Sequence, residues 1–407
     1  MTLSRCNMVE LTDQFRGHKI KVGRLIGKIE GKKEGPSMIF TGGIHGNEPS
    51  GVFAIREVIE EISRNKIKVR GNIYGISGNL KALGKGHRYE KYDLNRLWTK
   101  KKIESLLNDV QKEPAQDIIE QKEILTEIRK ILNEDNGPFY FFDLHTTSSE
   151  TNPFLTVNDC LANRKFAELF PVPMILGIEE YLEGPLLSYI NELGYVAFGF
   201  EGGSHGDKSS VDNHKAFILL ALVHAGMIKR KSFNYYKYYD QLAKTSFDSH
   251  EIFEIFYRFQ VFDNSKFKMK PGFVNFQKIK QGTILAKYNG ERIKAEENAR
   301  IFMPLYQNQG DDGFFLIRKV SPFFLKLSEK LRTLKVDKIL PVLPGVKWHN
   351  KEKDTLEVNT TIAKFFAKRF FHLLGFRAII LGENKYLMKN REKAVRSKDY
   401  KNEKFFQ

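Results

Sequence analysis

From about residue 19 to residue 228, short β-branched or aromatic runs alternate with amphipathic stretches of helix length. That alternation restricts the chain to an α/β fold in which helices cover a largely parallel sheet. The strand-like runs are 19–26, 37–41, 71–76, 139–144, 154–157 and 195–200. Helices are expected over 48–63, 115–132, 184–193 and 212–225. In the first of these, Val52, Ile55, Val58, Ile59 and Ile62 recur at three- and four-residue intervals, which gives one apolar face to lay on a sheet.

The texture changes near residue 232. Beyond it the chain is aromatic-rich and short in period, with turn signals at Lys270-Pro271-Gly272, Gln281-Gly282, Asn289-Gly290 and Gly310-Asp311-Asp312-Gly313. A compact β domain accounts for it, so the expected division is 1–231, 232–334 and a tail of 335–407. Within the tail, Ile362, Phe365, Phe366, Phe370, Leu373 and Leu374 can share one helical face. The charged run 389–404 is expected to be frayed.

The 407 residues, 41% of them apolar, suffice for a sizeable core. Two cysteines, Cys6 and Cys160, make neither a disulfide framework nor a cysteine zinc knuckle. The first residues lead into polar sequence without an apolar signal-like stretch, and no run is long enough to span a bilayer; the expectation is a cytoplasmic protein. The formal charge of +17 could point to nucleic acid or an anionic membrane, but 17 Lys and Arg against 8 Asp and Glu after residue 334 supply +9 of it. No zinc-finger spacing, RNA-recognition signature or basic region leading into heptads is present, so nucleic acid is not an expected partner.

Chemistry concentrates where strand-like runs end. In Gly42-Gly43-Ile44-His45-Gly46-Asn47-Glu48 a buried run meets two glycines that permit a sharp turn, and a helix follows. A His-x-x-Glu pair at such a turn can bring an imidazole nitrogen and a carboxylate oxygen onto one ion. His145, in Asp143-Leu144-His145-Thr146-Thr147, ends the run 139–144 and occupies the same topological place, the carboxyl end of a strand where open α/β sheets put their sites. A His-x-x-Glu pair alone is common and usually only hydrogen-bonds; the combination with His145 is far more specific. Two histidines and a carboxylate leave a fourth tetrahedral position for water, which marks a catalytic rather than a structural zinc. Asp143 either orients an imidazole or caps the following turn.

A water activated for hydrolysis needs a base, and Glu201 ends the run 195–200 and precedes Gly202-Gly203. The bland alternative is a turn carboxylate. His205 reads as a loop histidine more readily than a catalytic one. The segment Arg88-Tyr89-Glu90-Lys91-Tyr92-Asp93-Leu94-Asn95-Arg96 offers positive charge for an oxyanion and a planar guanidinium for a carboxylate, although without the neighbouring motifs a solvated loop is the better reading of its residue types.

These four motifs, in this order, resemble the succinylglutamate desuccinylase/aspartoacylase family of the zinc carboxypeptidase superfamily. The resemblance runs over roughly residues 15–330, and no counterpart of the tail is recognisable. It implies a mixed sheet flanked by helices followed by a small β-rich, barrel-sandwich-like domain, and one zinc ion per chain. It further implies that His45, Glu48 and His145 hold the metal, that Glu201 activates water and protonates the leaving amine, that Arg88 polarises the scissile carbonyl, and that Asn95 and Arg96 contact a substrate carboxylate. The implied activity is hydrolysis of a small N-acyl amino acid or related amide. One departure limits it: such enzymes carry a further arginine about ten residues before the catalytic glutamate, where this chain has Asn191, and no Lys or Arg occurs from Phe166 to Asp207. The acidic substrate is therefore not carried over. Two alternatives stand beside this reading. One is a carboxypeptidase acting on peptides; the other is a non-catalytic protein that keeps the site and meets a membrane or another subunit, including a second copy of itself, through the basic tail.

Overall fold

The computed structural model describes residues 8–108, 113–246, 250–359, 368–382 and 385–406. Eleven strands form the principal sheet. They are β1 (Leu25–Glu30), β2 (Lys33–Gly42), β3 (Arg70–Ser77), β4 (Phe139–Thr147), β5 (Phe154–Val157), β6 (Met174–Leu176), β7 (Val196–Ser204), β8 (Ile252–Gln260), β9 (Lys278–Ile279), β10 (Ala299–Phe302) and β11 (Asp312–Lys319). Their spatial order is β9-β10-β11-β8-β6-β5-β7-β4-β2-β3-β1. At its centre β3, β2, β4 and β7 run parallel, whereas β1, β5 and β11 are antiparallel to a neighbour, which makes the sheet mixed.

The alternation of side chains explains why both faces are covered. Along β2, Met38 and Phe40 enter one core while Ile39 enters the other; along β4, Tyr140, Phe142 and Leu144 divide from Phe139 and Phe141 in the same way. Helices α1 (Ser50–Arg64) and α4 (Ser210–His224) pack on the first face. Helices α2 (Gln116–Glu134) and α3 (Leu186–Glu192) cover the second, where Ile124, Ile128 and Ile190 are buried in one cluster with Phe139 and Phe141. Each fully buried side chain of this size contributes about 1.5–3 kcal/mol. Helix α1 starts at Ser50 after Pro49, so Glu48 lies in the turn before the helix rather than at its first residue.

The strands of 252–319 extend the principal sheet. Four of them join it, the link being the parallel pairing of β8 with the three-residue β6. A separate three-stranded sheet, Phe267–Met269, Ile284–Tyr288 and Glu291–Lys294, closes over Leu285, Ala286 and Phe314. Periodicity identifies such strands but does not choose their partners.

The end of the chain differs from expectation. Val346–Trp348, Thr355–Asn359, Phe376–Gly382 and Lys385–Asn390 form a four-stranded sheet. The expected helical face of 362–374 lies partly outside the described residues; Lys368–Leu373 is helical, and Phe371 and Leu374 are buried with Leu356 and Phe376. The run 389–404 is not frayed: Tyr400 is fully buried, accepts a hydrogen bond from Val196 N at 2.9 Å and donates to the carbonyl of Phe139. Aromatic anchors placed among lysines hold it down. Among the described residues, no helix is long and apolar enough to cross a membrane.

Candidate metal centre

Parallel register brings the motifs together. Gly42 stands beside Leu144, and His145 stands beside Glu201, so the ends of β2, β4 and β7 open at one place. The turn after β2 needs its glycines: Gly43 has φ +74°, and a Cβ on Gly46 would lie 2.1 Å from the carbonyl carbon of Ala82. Gly46 N also donates to Arg88 O at 3.0 Å, which ties this turn to the arginine-bearing loop.

His45, Glu48 and His145 are all buried and offer ligand atoms within 4.8 Å of one another. Glu48 sits between the imidazoles, with Oε1 2.9 Å from His45 Nδ1 and Oε2 2.9 Å from His145 Nδ1. The other ring nitrogens are occupied: His145 Nε2 is 2.6 Å from Asp143 Oδ2, and His45 Nε2 is 3.2 Å from Asp93 Oδ1. Asp143 is itself held by Thr41, whose hydroxyl donates at 2.6 Å. Carboxylates on the outer nitrogens fix the rings so that both Nδ1 atoms face inward, the arrangement seen around metal-ligating histidines. The three residues could therefore hold one metal ion, and Asp143 takes the first of its two expected roles.

Burial opposes ionisation of Glu48, yet the charge of His45 and hydrogen bonds from both histidines hold its carboxyl well below the usual range. Burial also disfavours an imidazolium at His145, but Asp143 and Glu48 outweigh it and raise that pKa. Glu201 is pushed up to about 8, first by burial and then by the Glu48 and Asp143 charges, against the opposing influence of His145 and Arg88. Its Oε2 is buried without a hydrogen-bond partner among the described residues.

One cavity is lined by His45, Glu48, His145, Glu201, Arg88, Asn95 and Arg96. Arg88 Nε and Nη2 both donate to Asp93 Oδ2, at 3.3 and 3.1 Å, and Nη1 reaches Glu48 Oε1 at 3.4 Å. Asn95 accepts from Leu186 N at 2.9 Å, and Arg96 pairs with Asp312 at 2.7 Å. His205 is not in the wall; it bonds Thr146 Oγ1 at 2.8 Å and Gln307 at 3.2 Å. Asn191 also stands away from the cavity, donating to Tyr195 O and Ala197 O.

Three contributors were not singled out by residue type. Asp93 lies inside the Arg88–Arg96 motif, and its fixed distance from Arg88 was the available signal. Gln307 and Asp312 arrive from beyond β10, and no local pattern marks them. With Met303, Leu305 and Gly310 they form a wall over the cavity, pinned where Gln307 accepts from Asn47 at 2.8 Å and Gln309 accepts from Arg88 N at 3.1 Å.

Residues 34–215 match the family described as succinylglutamate desuccinylase/aspartoacylase catalytic domain. A succinylglutamate desuccinylase of Pseudomonas fluorescens is 33% identical over 69 residues, which are 17% of this chain and 21% of the relative, so the match spans about a fifth of that relative's length. The fold is similar to that of the solved succinylglutamate desuccinylase of Vibrio cholerae, with TM-score 0.53 and 15% identity over 77% of this chain and 91% of the other. The Vibrio parahaemolyticus desuccinylase superposes with TM-score 0.54 and 15% identity, covering 79% and 93%.

Proposed function

We propose, from the premise that this chain belongs through residues 34–215 to the succinylglutamate desuccinylase/aspartoacylase family, that it is a zinc-dependent hydrolase of the amide bond in a small N-acyl amino acid or related amide. The observation that carries this reading is the convergence of the His45, Glu48 and His145 donors with the unpartnered Glu201 carboxylate and the Arg88 guanidinium in one buried cavity.

His45, Glu48 and His145 are the residues that would hold zinc; two imidazole nitrogens and one carboxylate oxygen suit that ion and leave coordination open. When bound, zinc supplies Lewis acidity toward water and a carbonyl oxygen. Glu201 then serves as the base in its ionised form, which the charge of a bound cation would favour over the acid that burial alone favours: its carboxylate takes a proton from water as the water oxygen adds to the carbonyl carbon. The same proton passes to the leaving nitrogen as the C–N bond breaks, giving a carboxylic acid and an amine, which ionise to carboxylate and ammonium. Arg88 faces the oxygen on which negative charge develops, and Asp93 holds it there with two hydrogen bonds. Asn95 and Arg96 offer donors for a carboxylate of the substrate.

The wall of residues 303–312 favours a small substrate over a peptide, because its hydrogen bonds to Asn47, Arg88 and Tyr89 close one side of the cavity. Glu201→Gln is the direct test. Purified protein should carry about one zinc per chain, and the variant should keep that metal while losing turnover of N-acyl amino acids by about 10²-fold or more. Full activity in the variant would overturn the assignment.

A further inference from the structure

We infer that the amide turned over at this site carries no second anionic group: it has one carboxylate at most and an uncharged, largely apolar remainder. This rests on the hydrolase reading above and goes beyond it by naming the substrate class. Among the described residues, the only Lys or Arg side chains lining the cavity are Arg88 and Arg96. Neither is free to neutralise an incoming dianion. Arg88 already faces Asp93 and Glu48. Arg96 Nη2 pairs with Asp312 at 2.7 Å and Asp311 at 3.5 Å, and the same two carboxylates pair with Arg258 at 2.5 and 3.1 Å. Two guanidinium and two carboxylate groups leave that cluster with no net charge.

The hydrogen-bonding capacity of Arg96 points the same way. Its Nη1 donates to Asn95 O at 3.0 Å, and its Nη2, which both two-point faces of a guanidinium share, is held by Asp312 and Asp311; Nε is the nitrogen left buried without a partner among the described residues. One N–H can meet one oxygen, but it cannot make the two-point fork with which arginine usually grips a carboxylate. Asn95, with its oxygen engaged by Leu186 N, adds an amide donor. Elsewhere the cavity wall presents Ile178, Leu182, Leu187 and Phe315 with the neutral Thr156 and Ser188. A second carboxylate would have to leave water for this surface, near Asp312 and Glu201, with no cation to meet it. Asp312 is thus a specificity-determining residue, acting by occupying Arg96.

The test compares kcat/KM of the zinc-loaded full-length protein on N-acetyl-L-leucine and N-acetyl-L-methionine with that on N-acetyl-L-aspartate and N-succinyl-L-glutamate. Calorimetric affinities for free leucine and aspartate are measured alongside. The monocarboxylates should be preferred by at least about tenfold in both readouts. Asp312→Asn, which releases Arg96, should narrow that ratio about tenfold. Ser188→Arg places a cation in the wall without breaking an ion pair, and should shift it the same way if Asp312→Asn does not fold. Equal or better use of the dicarboxylates, or a ratio unmoved by a folded variant, overturns the inference. If no amide is cleaved but leucine still binds more tightly than aspartate, the hydrolase reading fails and the selectivity stands; if neither amino acid is preferred, both fall.

Discussion

His145 has a carboxylate on each ring nitrogen, Glu48 at Nδ1 and Asp143 at Nε2, and Thr41 fixes the second of these. Replacing Asp143 by Asn keeps the shape and removes the charge that orients the ring. Zinc affinity should then fall by about 10–100-fold, read by competition with a chromogenic chelator; an unchanged affinity would show that Asp143 only supports the strand. His45 and Glu48 follow one strand-like run, and His145 and Glu201 end two others; the carboxyl end of such a run is a place that sequence alone can mark. Asp93 was visible as a member of a motif but not as a partner of His45, 48 positions away. Asp312 was beyond reach for the same reason at larger scale: it meets Arg96 across 216 positions, and no residue type announces that contact.

At the level of elements, helix α4 is unusual in being buried nearly all round, from Ala216 through Leu222. With apolar residues on every side it has no period to read, and only its length distinguished it from a strand. His224 closes the helix, edge-on to the rings of Phe170 and Tyr235 at 5.1 and 6.1 Å. A helix carboxyl end favours an imidazolium. Burial and then the nearby Arg230 win, and push this pKa down to about 4. The unfolded chain, with an ordinary histidine near 6.5, therefore takes up its proton first. Stability is fully present above that value, falls as the pH drops toward 4, and changes no further below it; the loss is at most about 3 kcal/mol. His224→Phe keeps the ring packing and cannot titrate. Denaturant midpoints at pH 7.5 and 4.5 should draw closer together in the variant than in the parent, and an identical drop in both would exclude this histidine as the cause.

Across the whole molecule, the central strands were legible because they are buried on both faces and so read as continuous apolar runs. What joins the parts was not. The three residues of β6 are too few to show a pattern, yet they carry the sheet from the metal-site strands into β8 and β11. The tail was obscured by its own lysines, which sit among the aromatic residues that dock it. Its attachment centres on Arg332, whose guanidinium is 1% exposed and faces both oxygens of Asp159 at 3.0 and 2.8 Å. The same group reaches Glu392 at 3.0 Å and the carbonyls of His372 and Leu373, so one residue ties the loop after β5 to two segments of the chain end. Removing one member of such a buried network strands the charges of the others and costs about 3–5 kcal/mol. Arg332→Met should lower the unfolding midpoint and open the segment after residue 367 to limited proteolysis. Because Asp159 follows the cavity residue Asn158 directly, the looser variant should also raise KM more than it lowers kcat. An unchanged cleavage pattern would mean that the aromatic anchors around Tyr400 hold the chain end without the ionic network.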